Sequence, residues 1–294
     1  MPLVTVIIPT RERHELLARA LTSVWAQTHR ELEVIVVDDN EPANRVQLQP
    51  ALASLLADER VNLLNNAGKH SAAAARNAGL AYARGDWVTF LDDDDTYRPD
   101  KIAAQLALAT NHAAPLVLCG AAFHLRQRVR LAQCETTAWR GDDLILRARW
   151  TTPLLFHRRE SGVRFDDTFA AGEDVLYAQA LLAAFSVSAV PVVAEPIVEV
   201  YQDVPTLART NLHGDAGWRA VRRTWWLFGR RYSPAARRLF VLRSMVGRAK
   251  LAGDARQVVA LTPALLRAGG ASQLRFALNA FAVGAGLPRD RFVT

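Results

Sequence analysis

The chain has 294 residues, half of them hydrophobic and 22% charged. With only two cysteines this excludes a disulfide-stapled mini-protein and a disordered chain, and it allows one large domain or a domain plus an appendage. The net charge of +7 conceals an asymmetry: residues 204–294 carry 16 Lys and Arg against Asp215, Asp254 and Asp290, whereas residues 1–203 hold 20 basic and 26 acidic groups. So sharp a break separates two parts with different partners.

In chain order, Val4 to Pro9 reads as a buried, β-branched strand. His14 to Gln27 follows as a helix with Leu16, Leu17, Ala20, Leu21, Val24 and Trp25 on one stripe. Leu32 to Val37 is the second strand, ending in Asp38-Asp39-Asn40. A helix is expected over roughly Asn44 to Asp58 and a short strand over Arg60 to Leu64. Ser71 to Arg84 is an Ala-rich helix with Ser71 as its cap and Gly85 as its stop. Next comes Trp87-Val88-Thr89-Phe90-Leu91, a strand that runs into four carboxylates, Asp92 to Asp95. Pro99-Asp100 opens a helix that turns Ile102, Leu106 and Ala109 inward. Leu116 to Phe123 and Thr151 to His157 read as further strands, Gly172 to Phe185 as a helix, and Val190 to Tyr201 as an irregular strand punctuated by Pro191 and Pro196. From about Gly214 the pattern is helical, with Trp218, Val221, Trp225, Trp226 and Phe228 among arginines.

Strands alternating with helices predict an α/β fold with a mostly parallel, doubly wound sheet, whose ligands bind beyond the carboxyl ends of the strands. Three strands end there in polar or charged residues: Thr10-Arg11, Asp38-Asp39-Asn40 and Asp92 to Asp95. Strand alternation would send Asp92 and Asp94 to one face and Asp93 and Asp95 to the other. Carboxylates this close repel, so either some are protonated or a cation compensates them. Asp39 can accept from a base N–H or ribose hydroxyls, or it can form the turn in Asp-Asp-Asn-Glu-Pro. Arg76 can reach a base or a pyrophosphate, or remain a surface arginine. Glu173 and Asp174 open a helix after Gly172, either as acids that complement the helix dipole or, for Asp174, as a general base. No run reaches the roughly 18 apolar residues of a spanning helix, and the N-terminus enters its strand with no secretory leader pattern. A cytoplasmic location with reduced Cys119 and Cys134, Cys119 buried, is the expectation.

Val4-Thr5-Val6-Ile7-Ile8-Pro9-Thr10-Arg11, Val34-Ile35-Val36-Val37-Asp38-Asp39, Ala75-Arg76-Asn77-Ala78-Gly79, Phe90-Leu91-Asp92-Asp93-Asp94-Asp95 and Gly172-Glu173-Asp174 occur in that order. Together, over about residues 3–203, they resemble the family 2 inverting glycosyltransferases of the GT-A fold. The resemblance implies a Rossmann-like GT-A catalytic domain over 1–213 and a basic helical region over 214–294. It implies a nucleoside pocket lined by Pro9, Thr10, Arg11 and Asp39, with Arg76 close by. Asp92 to Asp94 would be the DxD element: Asp94 on Mn²⁺ or Mg²⁺, Asp92 or Asp93 on ribose and diphosphate, and Asp92 a second candidate for the metal. Asp174 would be the catalytic base, with Glu173 beside it facing the acceptor, and Trp150, Thr151 and Thr152 would lie on the acceptor side. His213 falls where some members place a histidine near the metal. The donor would be a UDP- or dTDP-sugar and the acceptor a glycan or lipid-linked glycan in surface polysaccharide assembly. Two departures are the fourth acid, Asp95, and the Lys69-His70 pair in a loop that the family often makes glycine-rich.

The basic, aromatic C-terminal region fits a helix lying on an anionic membrane surface at the inner face of the cell membrane, or a cap whose arginines pair with the acidic N-terminal part. No nucleic-acid recognition motif accompanies the charge. Two other functions remain in view. Asp92-Asp93-Asp94-Asp95-Thr96 also matches the D-x-D-x-T nucleophile run of haloacid-dehalogenase-type phosphatases, which would hydrolyse a phosphate ester without any nucleotide sugar. A non-catalytic nucleotide-binding module would keep Asp39 but not need Asp174.

Overall fold

The computed structural model describes residues 1–66, 70–125, 128–202, 215–270 and 273–284. Strand β1 (Val4–Thr10) and β2 (Leu32–Asp38) are buried along almost their whole length, which is why their sequences are continuous apolar runs rather than alternating ones. With β3 (Val61–Asn65) and β4 (Trp87–Phe90) they make a parallel array in the order β3-β2-β1-β4. The remaining strands are β5 (Thr96–Tyr97), β6 (Leu116–Leu125), β7 (Arg128–Ala132), β8 (Ala138–Arg140), β9 (Phe156–Arg158) and β10 (Ala189–Gln202). The sheet continues past β4 as β9-β6-β10-β5, with β9 antiparallel to both β4 and β6. The parallel expectation therefore describes the first four strands, and the whole is a mixed α/β sheet. In β10 the register against β6 shifts around Pro196, a residue that lacks the ladder N–H.

Helix α1 (His14–Trp25) turns Leu17, Ala20, Leu21 and Val24 into the core. The expected helix over 44–58 is instead three 3₁₀ turns followed by the four-residue α2 (Ala53–Leu56). Pro42 and Pro50 each start a turn, and a proline inside a continuous helix would remove a hydrogen bond and clash with the preceding turn. Helix α3 (Ala72–Tyr82) is capped by Ser71, whose Oγ accepts from the Ala74 N–H at 3.1 Å. Gly85 is not its stop. A Cβ there would lie 2.7 Å from the Thr5 backbone nitrogen, so glycine is required by the close passage of β1. Helix α4 (Lys101–Asn111) buries Ile102 and Ala109. The expected strand over 151–157 is reduced to β9 because Thr152–Leu154 is a 3₁₀ turn containing Pro153. Helices α5 (Asp143–Leu146) and α6 (Glu173–Ala184) follow.

The chain forms two compact units. The sheet unit comprises Met1–Arg140, Ala148–Thr168 and the stretch that begins at Glu173. The helical unit comprises Gly141–Arg147, Phe169–Gly172 and the C-terminal helices α7 (Asp215–Phe228), α8 (Pro234–Leu251), α9 (Ala255–Gly269) and α10 (Leu274–Gly284). Its core is Leu239, Val246, Val258, Leu265 and small residues such as Ala249 and Ala277. Asp142 accepts from the Ser233 N–H at 2.9 Å, and Ser233 Oγ accepts from the Ala236 N–H at the start of α8. Among the described residues no helix is long and apolar enough to cross a membrane.

Candidate active site

Strands β2, β1 and β4 are neighbours, so their carboxyl ends deliver Asp39, Thr10 and the acidic run side by side. Thr10 joins them: its carbonyl accepts from the Asp39 N–H at 2.9 Å, and its Oγ1 donates to Asp93 Oδ2 at 2.8 Å. Asp38 and Asp39 divide the work that a strand-end acid can do. Asp38 is the turn former, accepting from the backbone N–H groups of Asn40 and Val46 and from Asn40 Nδ2. That leaves the buried Asp39 free of the turn, its Oδ1 held by Asn66 Nδ2 at 2.7 Å and His70 Nδ1 at 2.9 Å.

The acidic run does not continue the strand. Strand β4 ends at Phe90, and Asp92 to Asp95 form a turn closed by the Asp95 N–H on the Asp92 carbonyl at 3.0 Å. The strand alternation expected for the four carboxyls is therefore replaced. Arg13 Nη1 bridges Asp93 at 2.9 Å and Asp94 at 2.8 Å, while Asp95 turns away to accept from the Tyr201 N–H. The fourth acid is thus tied into β10. Arg13 reaches back because Glu12 occupies the left-handed region at φ 55°, its N–H given to Asn40 Oδ1. Burial pushes the Asp93 carboxyl up to about 6 despite Arg13 and Thr10, and Asp94 is also raised, by burial and by neighbouring Asp92.

Every residue of Arg76-Asn77-Ala78-Gly79 except Ala78 has a visible task. Gly79 seats α3 on β1, since a Cβ would lie 2.5 Å from Ile7 Cγ2. Asn77 Nδ2 donates to the Phe165 carbonyl at 2.9 Å, and Asn77 Oδ1 accepts from the Phe165 N–H at 2.8 Å. Arg76, only 5% exposed, pairs through Nη2 with Asp92 at 2.6 Å and through Nη1 with Glu173 at 3.4 Å. One guanidinium therefore connects the acidic turn after β4 to the first turn of α6.

Asp174 follows Glu173 on α6, after Gly172 at φ 80°, a conformation that glycine adopts freely. Burial, with the Glu173 charge adding to it, raises the Asp174 carboxyl to about 7. One turn on, Tyr177 stacks on Phe165 with ring centroids 3.8 Å apart, and its hydroxyl lies 2.9 Å from His157 Nε2. His157 Nδ1 faces the Arg158 carbonyl at 2.8 Å. A carbonyl can only accept, so Nδ1 carries the proton and Nε2 accepts from Tyr177. Burial lowers His157 to about 4, so the ring stays neutral in this pair. A chain of contacts from Asn77 through Phe165 to Tyr177 and His157 thus holds α6 against α3 and β9.

Among the described residues no group of three or more His, Cys, Asp or Glu side chains is gathered to hold a metal. Mg²⁺-type sites commonly use one or two carboxylates plus substrate phosphates and water, however. The acidic turn fits that donor set: Asp92 is the most open of its carboxylates that pair with arginine, 32% exposed at the side chain, and Asp94 lies two residues on.

Of the other residues nominated from the sequence, Pro9 is half-buried at the end of β1, and Arg11 is exposed and makes no contact to the acidic turn among the described residues. Thr152 Oγ1 approaches Asp92 Oδ1 at 3.4 Å. His213, Lys69 and the boundary at 213/214 lie outside the described residues. Sequence reasoning passed over Arg13, Arg19 (whose Nη2 donates to the Asp94 carbonyl at 2.5 Å), Asn66 and the His157–Tyr177 pair. Arg13 had one usable signal, a second arginine two residues after Arg11 at the end of β1.

The Glycosyl transferase family 2 model matches residues 5–174. The succinoglycan biosynthesis protein ExoO of Rhizobium meliloti is 31% identical over 200 residues, which is 62% of this chain and 56% of that protein. The GalNAc(5)-diNAcBac-PP-undecaprenol beta-1,3-glucosyltransferase of Campylobacter jejuni is 40% identical over 96 residues, 32% of this chain and 30% of that one. The chain spans about half the length of the first of these relatives and less of the second. Among solved structures, S. aureus TarS 1–349 in complex with UDP-GlcNAc superposes with a TM-score of 0.67 at 15% identity, covering 95% of this chain and 81% of that one, a likeness of fold. By the reach of the family model over more than half its length, and by an α/β architecture of GT-A type, this chain belongs to glycosyl transferase family 2.

Proposed function

We propose that this chain is a metal-dependent inverting glycosyltransferase, moving a sugar from a UDP- or dTDP-sugar to an acceptor hydroxyl in the assembly of a surface polysaccharide or lipid-linked glycan. The observation that carries the reading is Arg76, paired at once with Asp92 at 2.6 Å and Glu173 at 3.4 Å, because it ties the donor-side acids to the helix that bears the base. Asp39, its carboxyl fixed by Asn66 and His70, accepts from the base or ribose, next to Pro9, Thr10 and Arg11. Asp92 and Asp93 position ribose and diphosphate. Asp94, with Asp92, would hold Mn²⁺ or Mg²⁺, which when bound supplies Lewis-acid stabilisation of the departing diphosphate. His213 is retained as a further ligand candidate. Asp174, raised to about 7, takes the proton from the acceptor hydroxyl near neutral pH, and Glu173 faces the acceptor. Attack from the face opposite the diphosphate inverts the anomeric centre.

The catalytic domain is assigned to 1–213 and the basic helical region to 214–294, the latter meeting an anionic membrane surface from the cytoplasmic side. Family membership sets aside the phosphatase reading of Asp92 to Thr96. A panel of nucleoside diphosphates tested by thermal shift with and without Mn²⁺ checks the donor site. A shift with UDP or dTDP that needs the metal, and that disappears in Asp39→Ala, is the expected outcome. No shift with any nucleoside diphosphate would overturn the reading.

A further inference from the structure

The helical unit contains two adjoining cavities, one mainly apolar and one rich in arginine. The first, about 810 Å³, is walled by Trp218, Val221 and Trp225 of α7, Leu242 of α8 and Ala264 of α9, with Arg222, Arg238 and Arg267 also lining it. Trp218, Val221 and Trp225 recur at i, i+3 and i+7, one face of a helix. The second, about 760 Å³, is lined by Arg219, Arg223, Arg230 and Arg237 together with Trp226. Arg222 and Trp225 border both.

Among the described residues none of these arginines has an acidic partner. Arg237 carries the cost of this most plainly: its Nε is buried without a hydrogen-bond partner, the guanidinium centre 5.7 Å from the Trp225 ring. A buried, unpaired N–H of a cation is expensive, and an incoming anion relieves it. Guanidinium groups match the oxygens of phosphate in geometry as well as charge. An anionic polymer would satisfy the arginines and leave the apolar hollow empty, whereas a molecule with a long apolar chain and an anionic head fills both.

We propose that the two cavities form one site for a single long-chain lipid phosphate or diphosphate, its chain in the hollow beside Trp218 and Leu242 and its head on Arg222 and Arg237. The inference rests on the proposed lipid-linked acceptor and names the part of that acceptor which the helical unit grips. It differs from simple adhesion to a bilayer, because one recessed lipid is bound rather than a charged surface.

Flotation of the full chain with phosphatidylcholine vesicles tests it, comparing a low mole fraction of polyprenyl diphosphate with phosphatidylglycerol at matched surface charge. Binding at least about tenfold tighter to the polyprenyl diphosphate vesicles is expected, and Arg222→Gln and Arg237→Gln should each lower it by about tenfold. Arg256→Gln, at an exposed position of α9 that lines neither cavity, should leave it unchanged. Equal binding to the two charge-matched vesicles, or an equal loss in Arg256→Gln, overturns the proposal in favour of net charge alone. Should Arg237→Gln misfold by circular dichroism, the exposed Arg222 carries the test. No nucleotide sugar is present, so a failed donor panel with intact lipid binding refutes the donor reading, and the reverse refutes only the lipid site.

Discussion

In the sheet unit Arg13 is answered by Asp93 and Asp94, and Arg76 by Asp92 and Glu173. In the helical unit Arg219, Arg222, Arg223 and Arg237 stand around their cavities with no carboxylate among the described residues. Both regions are rich in guanidinium, yet their charges do different things. Paired internally, an arginine fixes the geometry of acidic side chains before any ligand arrives. Left unpaired beside an apolar hollow, it offers its charge outward. Net charge alone, +7 for the chain, does not reveal this difference.

Three substitutions sharpen the comparison through stability. Arg76→Met removes a buried cation from two carboxylates and should cost about 3 kcal/mol in urea unfolding, since breaking a buried pair leaves uncompensated charge; a cost below about 1 kcal/mol would mean that the pairing fixes nothing. Lys101 is the informative middle case: fully buried, its Nζ donates to Thr89 Oγ1 at 2.5 Å and lies 4.1 Å from the Tyr97 ring, with no carboxylate paired to it among the described residues. Burial lowers its pKa to about 7. Unfolded lysine titrates near 10.4, so between about 7 and 10 the unfolded chain binds more protons and stability rises with pH. The shift corresponds to roughly 4 kcal/mol at pH 7. Part of it is offset by the Thr89 hydrogen bond and Tyr97 contact that Lys101→Met gives up. The variant should therefore stabilise by roughly 2 kcal/mol at pH 7, with the gain shrinking towards pH 10. No gain at pH 7, or one that grows with pH, would contradict the buried-cation account. Arg222→Gln, at an exposed residue with no acidic partner among the described residues, should change stability by less than about 0.5 kcal/mol. A larger loss would show that Arg222 serves the fold and not a ligand.

Much of the sheet unit was legible because its signals are local. Continuous β-branched runs marked β1 and β2, Ser71 marked the start of α3, and the acids at the strand ends pointed to one edge of the sheet. The failures share a cause, namely contacts distant in sequence. Gly85 resembles a helix stop, but it is small because β1 passes 2.7 Å from where its Cβ would be. Asp92 to Asp95 resemble a strand continuation, but the turn and Arg13, about eighty residues away in sequence, set which way each carboxyl points. Nothing around Ala75-Arg76-Asn77 announces that Arg76 meets Glu173, 97 positions later. The 44–58 stretch misled for a local reason: Pro42 just before it and Pro50 within it each start a short turn where apolar spacing suggested a helix.

The central claim is that Asp174, held one turn from the Tyr177–His157 pair and raised to about 7, is the base of sugar transfer. The pH dependence of kcat/KM for wild type beside Asp174→Asn tests it most directly. The account predicts a wild-type rate that falls tenfold per pH unit below about 7, where the carboxyl is protonated. It also predicts an Asp174→Asn rate lower by about 10³-fold without that acid limb, while nucleoside diphosphate affinity is kept. A variant that transfers sugar at the wild-type rate, with the same acid limb, would contradict it.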